Sequence, residues 1–227
     1  MTRFLTVMMI SLSLLGSGSV AAQPSNQILV MGDSFMAWNR ASKRSVPDIV
    51  ASKLKVPVQN KAVSGARMIY NLPLTGAMGM SIPQQFREGQ WDWVVMNGGG
   101  NDLWLGCGCH TCDRKLNKLI SKSGTKGKIP NTVAKALKSG AQVLYVGYLR
   151  SPGANSPIEN CRDEGDALDA RLAQMAKRVK GVHFIPMADL VPNGDRSFHG
   201  IDMVHPSVKG SRAIGTRIAN YIKQQGR

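Results

Sequence analysis

Ile28-Leu29-Val30-Met31-Gly32-Asp33-Ser34 runs from four large apolar residues directly into a glycine, a carboxylate and a hydroxyl. A short unbroken apolar run stopped by a glycine reads as a strand buried on both faces, here over residues 27–32. Residues 46–55 follow as a helix, with Pro47 in the first turn, where a missing N–H breaks no helical bond. Residues 56–62 read as a weaker second strand and 91–97 as a third. A helix capped at Asn131 or Thr132 and stopped at Gly140 leads into a fourth strand over 142–149. The span 163–180 places Leu168, Leu172, Met175, Ala176 and Val179 on one helical face. Asp163, Glu164 and Asp166 open that helix; Lys177, Arg178 and Lys180 close it before Gly181, matching the helix dipole at both ends. A fifth strand over 182–186 and a helix over 208–222, with Ile214, Ile218 and Ile222 inward, complete the pattern. Alternating strands and helices predict an α/β fold with a parallel sheet covered on both faces. The stretches 63–90 and 98–128 read as irregular segments following strand ends, where open α/β sheets bind ligands.

The segment before this domain has a different composition. Arg3, the mostly apolar run 4–15 and the small residues up to Val20-Ala21-Ala22 form the pattern of a secretory signal peptide over residues 1–22. The run is too short to span a bilayer, and no other run is long enough, so no transmembrane segment is expected in the mature chain. Residues 23–227 are then a single exported domain, periplasmic or secreted, long enough to bury a sizeable core. Lys and Arg total 29 against 14 Asp and Glu, a net charge of +15. The cations are scattered, without the dense blocks or interleaved aromatics of a nucleic-acid groove, and nucleic acid is not an expected partner. A solvated basic surface is the plain reading and attraction to polyanions the sharper one. Cys107, Cys109, Cys112 and Cys161 admit three readings: two disulfides, a zinc site including His110, or a redox pair at Cys109 and Cys112. Export favours disulfides, and because Cys107 and Cys109 are poorly placed to bond each other, one clustered cysteine reaches Cys161. No metal and no cofactor are expected.

Chemistry gathers at predicted strand ends. Gly32-Asp33-Ser34 ends the first strand, Ser64-Gly65 follows the second and Gly99-Gly100-Asn101-Asp102 the third; Asp202-Met203-Val204-His205-Pro206 precedes the last helix. Each alone is an ordinary turn. Together they supply a hydroxyl, an imidazole able to take its proton, and a carboxylate three residues before that imidazole able to orient it. In order and placement these blocks resemble the SGNH hydrolases, the GDSL esterase/lipase family, over about residues 27–222. The matching residues are Ser34, Gly65, Asn101 and His205, with Asp202 in the place of the triad acid. Phe35 stands where the family name has leucine, and the block around Gly65 is the looser match.

The resemblance implies a three-layer, flavodoxin-like, doubly wound five-stranded sheet. It also implies an exported esterase or lipase working through an acyl-serine intermediate: Ser34, Asp202 and His205 catalytic, and the Ser34 N–H, Gly65 N–H and Asn101 side chain forming the oxyanion hole. The expected substrate is a small-molecule, lipid or glycan acyl ester. A polysaccharide O-deacetylase or acyltransferase of the same fold is the enzymatic alternative; a binding module or a Cys/His metal-binding protein is the non-enzymatic one. Asp33 reads as a turn-capping carboxylate. His183 reads as a packed strand residue, and His199 with Asp195 as a weaker pair near the last block. Phe35, Trp38, Leu103, Trp104 and Leu105 lie beside the blocks as acyl-pocket or core residues. A serine flanked by glycines at −2 and +2, a phosphate loop and a His-Glu-x-x-His zinc helix are absent.

Overall fold

The apolar runs that read as strands pair in one parallel sheet in the order β2-β1-β3-β4-β5, the flavodoxin-like doubly wound order. The strands are β1 (Ile28–Met31), β2 (Val58–Asn60), β3 (Trp93–Met96), β4 (Gln142–Val146) and β5 (Val182–Ile185). This computed structural model describes residues 27–153 and 155–226, so the signal segment expected over 1–22 lies outside the described residues. Ile28, Leu29, Val30 and Met31 pair in register with Trp93, Val94, Val95 and Met96 at the centre of the sheet. Alternate side chains point to opposite faces. Ile28, Val30, Trp93, Val95, Leu144 and Val146 enter one core, whereas Leu29, Met31, Val94, Met96, Val143 and Tyr145 enter the other. An unbroken apolar strand therefore has two buried faces to fill.

On the first face lie α1 (Ser34–Ala37), α2 (Val46–Leu54) and α8 (Val208–Gln224), which contribute Met36, Val50, Ile214, Ile218 and Ile222 to the core. A capping box starts α2: Asp48 accepts from the Ser45 backbone N–H at 2.9 Å. On the other face lie α4 (Gly100–Cys107), α5 (Asp113–Leu119), α6 (Lys128–Leu137) and α7 (Arg162–Arg178). In the segment between β2 and β3, α3 (Pro73–Thr75) is continued by a π-helical turn (Gly76–Met80) and followed by a 3-10 turn (Ile82–Gln85).

Three differences from the sequence reading stand out, beyond shifts of one to three residues at other element ends. The stretch 98–128 contains α4 and α5: Gly99 in a left-handed conformation starts α4 and Gly108 ends it, so the glycines of the apparent turn are helix boundaries. Helix α6 begins at Lys128, ahead of Asn131. Pro130 fits its first turn, and Thr132 donates back to the Lys128 carbonyl at 2.8 Å and caps nothing. Strand β4 ends at Val146, which frees Tyr148, Leu149 and Arg150 to line a cavity above the sheet.

Candidate active site

The turn leaving β1 is held by a buried polar network. Gln85, 1% exposed, accepts from the Gly32 N–H at 2.7 Å and donates to the Gly32 and Gly79 carbonyls at 2.8 Å each. The Asn97 side-chain oxygen accepts from the Asp33 N–H at 3.3 Å, and its amide donates to Asp33 Oδ1 at 2.9 Å. A Cβ at position 32 would lie 1.8 Å from that Asn97 oxygen, so only glycine fits between the two strand ends. Asp33 caps α1, accepting from the Phe35 N–H at 3.0 Å, while the Tyr148 hydroxyl donates to its other oxygen at 2.6 Å. Burial pushes the Asp33 carboxyl above the usual carboxylate range, opposed in part by the Tyr148 and Asn97 hydrogen bonds. Ser34 is thereby fixed as the first residue of α1, where a backbone N–H has no acceptor within the helix.

The second and third blocks are tied to this turn and to each other. The Val63 N–H donates to the Gly32 carbonyl at 3.1 Å. Gly65 has φ +79°, a left-handed conformation that favours glycine. The Asn101 side-chain amide donates to the Ala66 carbonyl at 3.1 Å, which leaves it a second hydrogen. Asp102, 1% exposed, accepts from the Met68 and Ile69 N–H groups at 2.9 Å each and so clamps the 66–69 segment onto α4. Burial raises its carboxyl to about 6 despite those two bonds.

In the fourth block Asp202 Oδ1 accepts from the backbone N–H groups of Val204 at 3.1 Å and His205 at 3.0 Å. Its Oδ2 lies 2.6 Å from His205 Nδ1. With Nδ1 carrying the proton, Nε2 is left as the basic nitrogen. Burial pushes the Asp202 carboxyl up, but the His205 side-chain bond and the two backbone bonds outweigh it and hold the carboxyl below its ordinary value. Trp38 lies flat on the imidazole, with ring centroids 3.8 Å apart and planes 7° from parallel.

Ser34, Asn101 and His205 line one cavity of about 100 Å³, together with Phe35, Leu103 and Trp104. Asp202 stands behind His205, and Gly65 lies next to the Ala66 carbonyl that Asn101 engages; neither lines the cavity. Of the flanking apolar residues, Phe35 also packs edge-on against Tyr148, Trp38 stacks on the imidazole and Leu105 is exposed. The cysteines form two disulfides, Cys107–Cys112 and Cys109–Cys161, and the latter pair lines the cavity. His183, on β5, bridges Gln142 of β4 and Tyr221 of α8, His199 is buried beside the last block, and Asp195 pairs with Lys209.

Reading the sequence did not single out Gln85, Asn97 or Tyr148 as parts of the site. Asn97 left a trace, a polar residue at the end of an apolar strand. Gln85 and Tyr148 left none, because they act 53 and 115 residues from their partners.

Sheet order, site position and the four blocks define an α/β protein with the SGNH hydrolase fold. The chain belongs to the GDSL-like lipase/acylhydrolase family, whose model matches residues 30–213. Solved structures with the same fold include an SGNH hydrolase assignment from Slackia heliotrinireducens, 22% identical over 87% of this chain and 99% of that one, TM-score 0.61. The carbohydrate acetylesterase Est24 from Sinorhizobium meliloti is 17% identical over 88% of this chain and 99% of its own, TM-score 0.62. TesA is 18% identical over 87% of this chain and 98% of its own, TM-score 0.62. No curated protein matches in sequence.

Proposed function

We propose that this protein is an exported serine esterase that cleaves carboxylic esters through an acyl-serine intermediate. The observation carrying this reading is that Ser34, Asn101 and an Asp202-oriented His205 border one cavity. Ser34 Oγ attacks the acyl carbonyl as His205 Nε2 takes its proton; Asp202 stabilises the imidazolium. Negative charge then develops on the carbonyl oxygen. The Ser34 N–H, the Gly65 N–H and the remaining Asn101 amide hydrogen are its donors. Collapse of the tetrahedral intermediate expels the alcohol, which leaves with the proton from His205. Water, activated by the same imidazole, releases the acid and restores Ser34. Two disulfides and the leader-like segment 1–22 support export.

A second reading, removal of acetyl groups from a glycan, has support in the small cavity, the net charge of +15 and the acetylesterase description carried by Est24. Both readings rest on the same nucleophile. Hydrolysis of a short-chain aryl ester tests them together: Ser34→Ala is expected to lose about a millionfold in kcat, and His205→Ala to fall with it. Unchanged turnover in either variant refutes the assignment.

A further inference from the structure

Four features of the cavity bear on the acyl group it takes. First, Cys109 and Cys161 both line it, alongside Leu103, Trp104, Ile158 and Leu168. Second, the Cys109–Cys161 bond joins the segment just beyond α4 to the residue just before α7, across a sequence separation of 52. It therefore ties together two chain segments that bound the cavity on the α4–α7 side of the sheet. Third, the charged residues that reach the cavity offer nothing to an anionic tail. The Arg150 guanidinium is taken up by Asp166, Asp169 and the Tyr148 carbonyl, while Glu164 would repel a carboxylate. Fourth, the volume is about 100 Å³. That is below the roughly 150 Å³ of an engineered apolar cavity that admits benzene, so a chain of about four carbons fills it.

We propose that the Cys109–Cys161 disulfide is a wall of the acyl pocket, and that this wall restricts the enzyme to esters of short, uncharged acids. The inference rests on the esterase reading above and adds the acyl class and the group that sets it. The neighbouring Cys107–Cys112 bond does not reach the cavity and serves as an internal control.

The test is the chain-length profile of kcat/KM on aryl esters of two-, four-, six- and eight-carbon acids, with fluorophosphonate labelling of Ser34 measured in parallel. The wild-type profile is expected to peak near four carbons and to fall by about tenfold for each methylene that no longer fits. In Cys109→Ala/Cys161→Ala the ratio of eight- to four-carbon activity is expected to rise at least about tenfold. Cys107→Ala/Cys112→Ala should leave that ratio at the wild-type value. Should the first variant fail to fold, Ile158→Phe narrows the same wall with both disulfides intact and should move the peak to the acetyl ester. A wild-type enzyme that labels at Ser34 but shows a flat profile overturns the wall and spares the esterase reading. The same holds if both disulfide variants shift equally, or if Ile158→Phe leaves the peak in place. Absence of labelling and of turnover in the wild type overturns both.

Discussion

The indole of Trp38 covers one face of the His205 imidazole at 3.8 Å. Its π face attracts cations, and in the proposed mechanism the imidazole becomes cationic when it takes the proton of Ser34. The contact is therefore stronger in the transition state than in the resting enzyme, the condition under which an interaction accelerates a reaction. A cation–π contact of this kind contributes about 0.5–2 kcal/mol. Trp38→Ala should accordingly lower kcat/KM by about tenfold on a short-chain ester, and Trp38→Phe should recover most of the loss. Equal rates for Trp38→Ala and wild type would remove Trp38 from the account. Asn101 stands differently, because one amide hydrogen is already committed to Ala66. That bond fixes the side-chain amide in place and leaves one hydrogen uncommitted, as the proposed oxyanion role requires.

Between elements, the decisive contact is the clamp from α4 to the 66–69 segment. Asp102 satisfies the backbone N–H of buried Met68 and that of half-buried Ile69; a buried N–H left without an acceptor costs about 1–3 kcal/mol. The clamp also keeps Ala66 against Asn101, and so aligns the second and third blocks. Burial sets the folded carboxyl at about 6, above its ordinary value of 3.8. Between these two values the folded protein holds a proton that the unfolded chain releases. The contribution of Asp102 to stability therefore increases as the pH falls through this window and is lost as the pH rises through it. Asp102→Asn has no such proton. The Tm of wild type minus that of Asp102→Asn should grow as the pH is lowered from about 6 to about 4. A difference that is flat, or that shrinks, contradicts the burial of a titrating carboxyl at this position.

For the molecule as a whole, the sheet could be read from the sequence because its unbroken apolar runs fill two cores, one on either side. The four blocks could be read because small and polar residues interrupt the apolar pattern there. The rest depended on distance. Tyr148 reaches Asp33 only after β4 stops short, and Gln85 reaches Gly32 only after the long segment beyond β2 folds back. Helices α4 and α5 were masked by the glycines and cysteines around them, which resemble loop composition when read along the chain alone. The disulfide partners became definite only once α4 and α7 lay on the same face of the sheet. In the proposed chemistry Ser34, near the start of the domain's sequence, and His205, near its end, act on one proton. Covalent labelling of the protein with a fluorophosphonate, followed by peptide mass mapping, measures this most directly. The adduct is expected on Ser34, absent in Ser34→Ala and formed far more slowly in His205→Ala; an adduct on another residue, or labelling of Ser34 at the same rate without the imidazole, would contradict it.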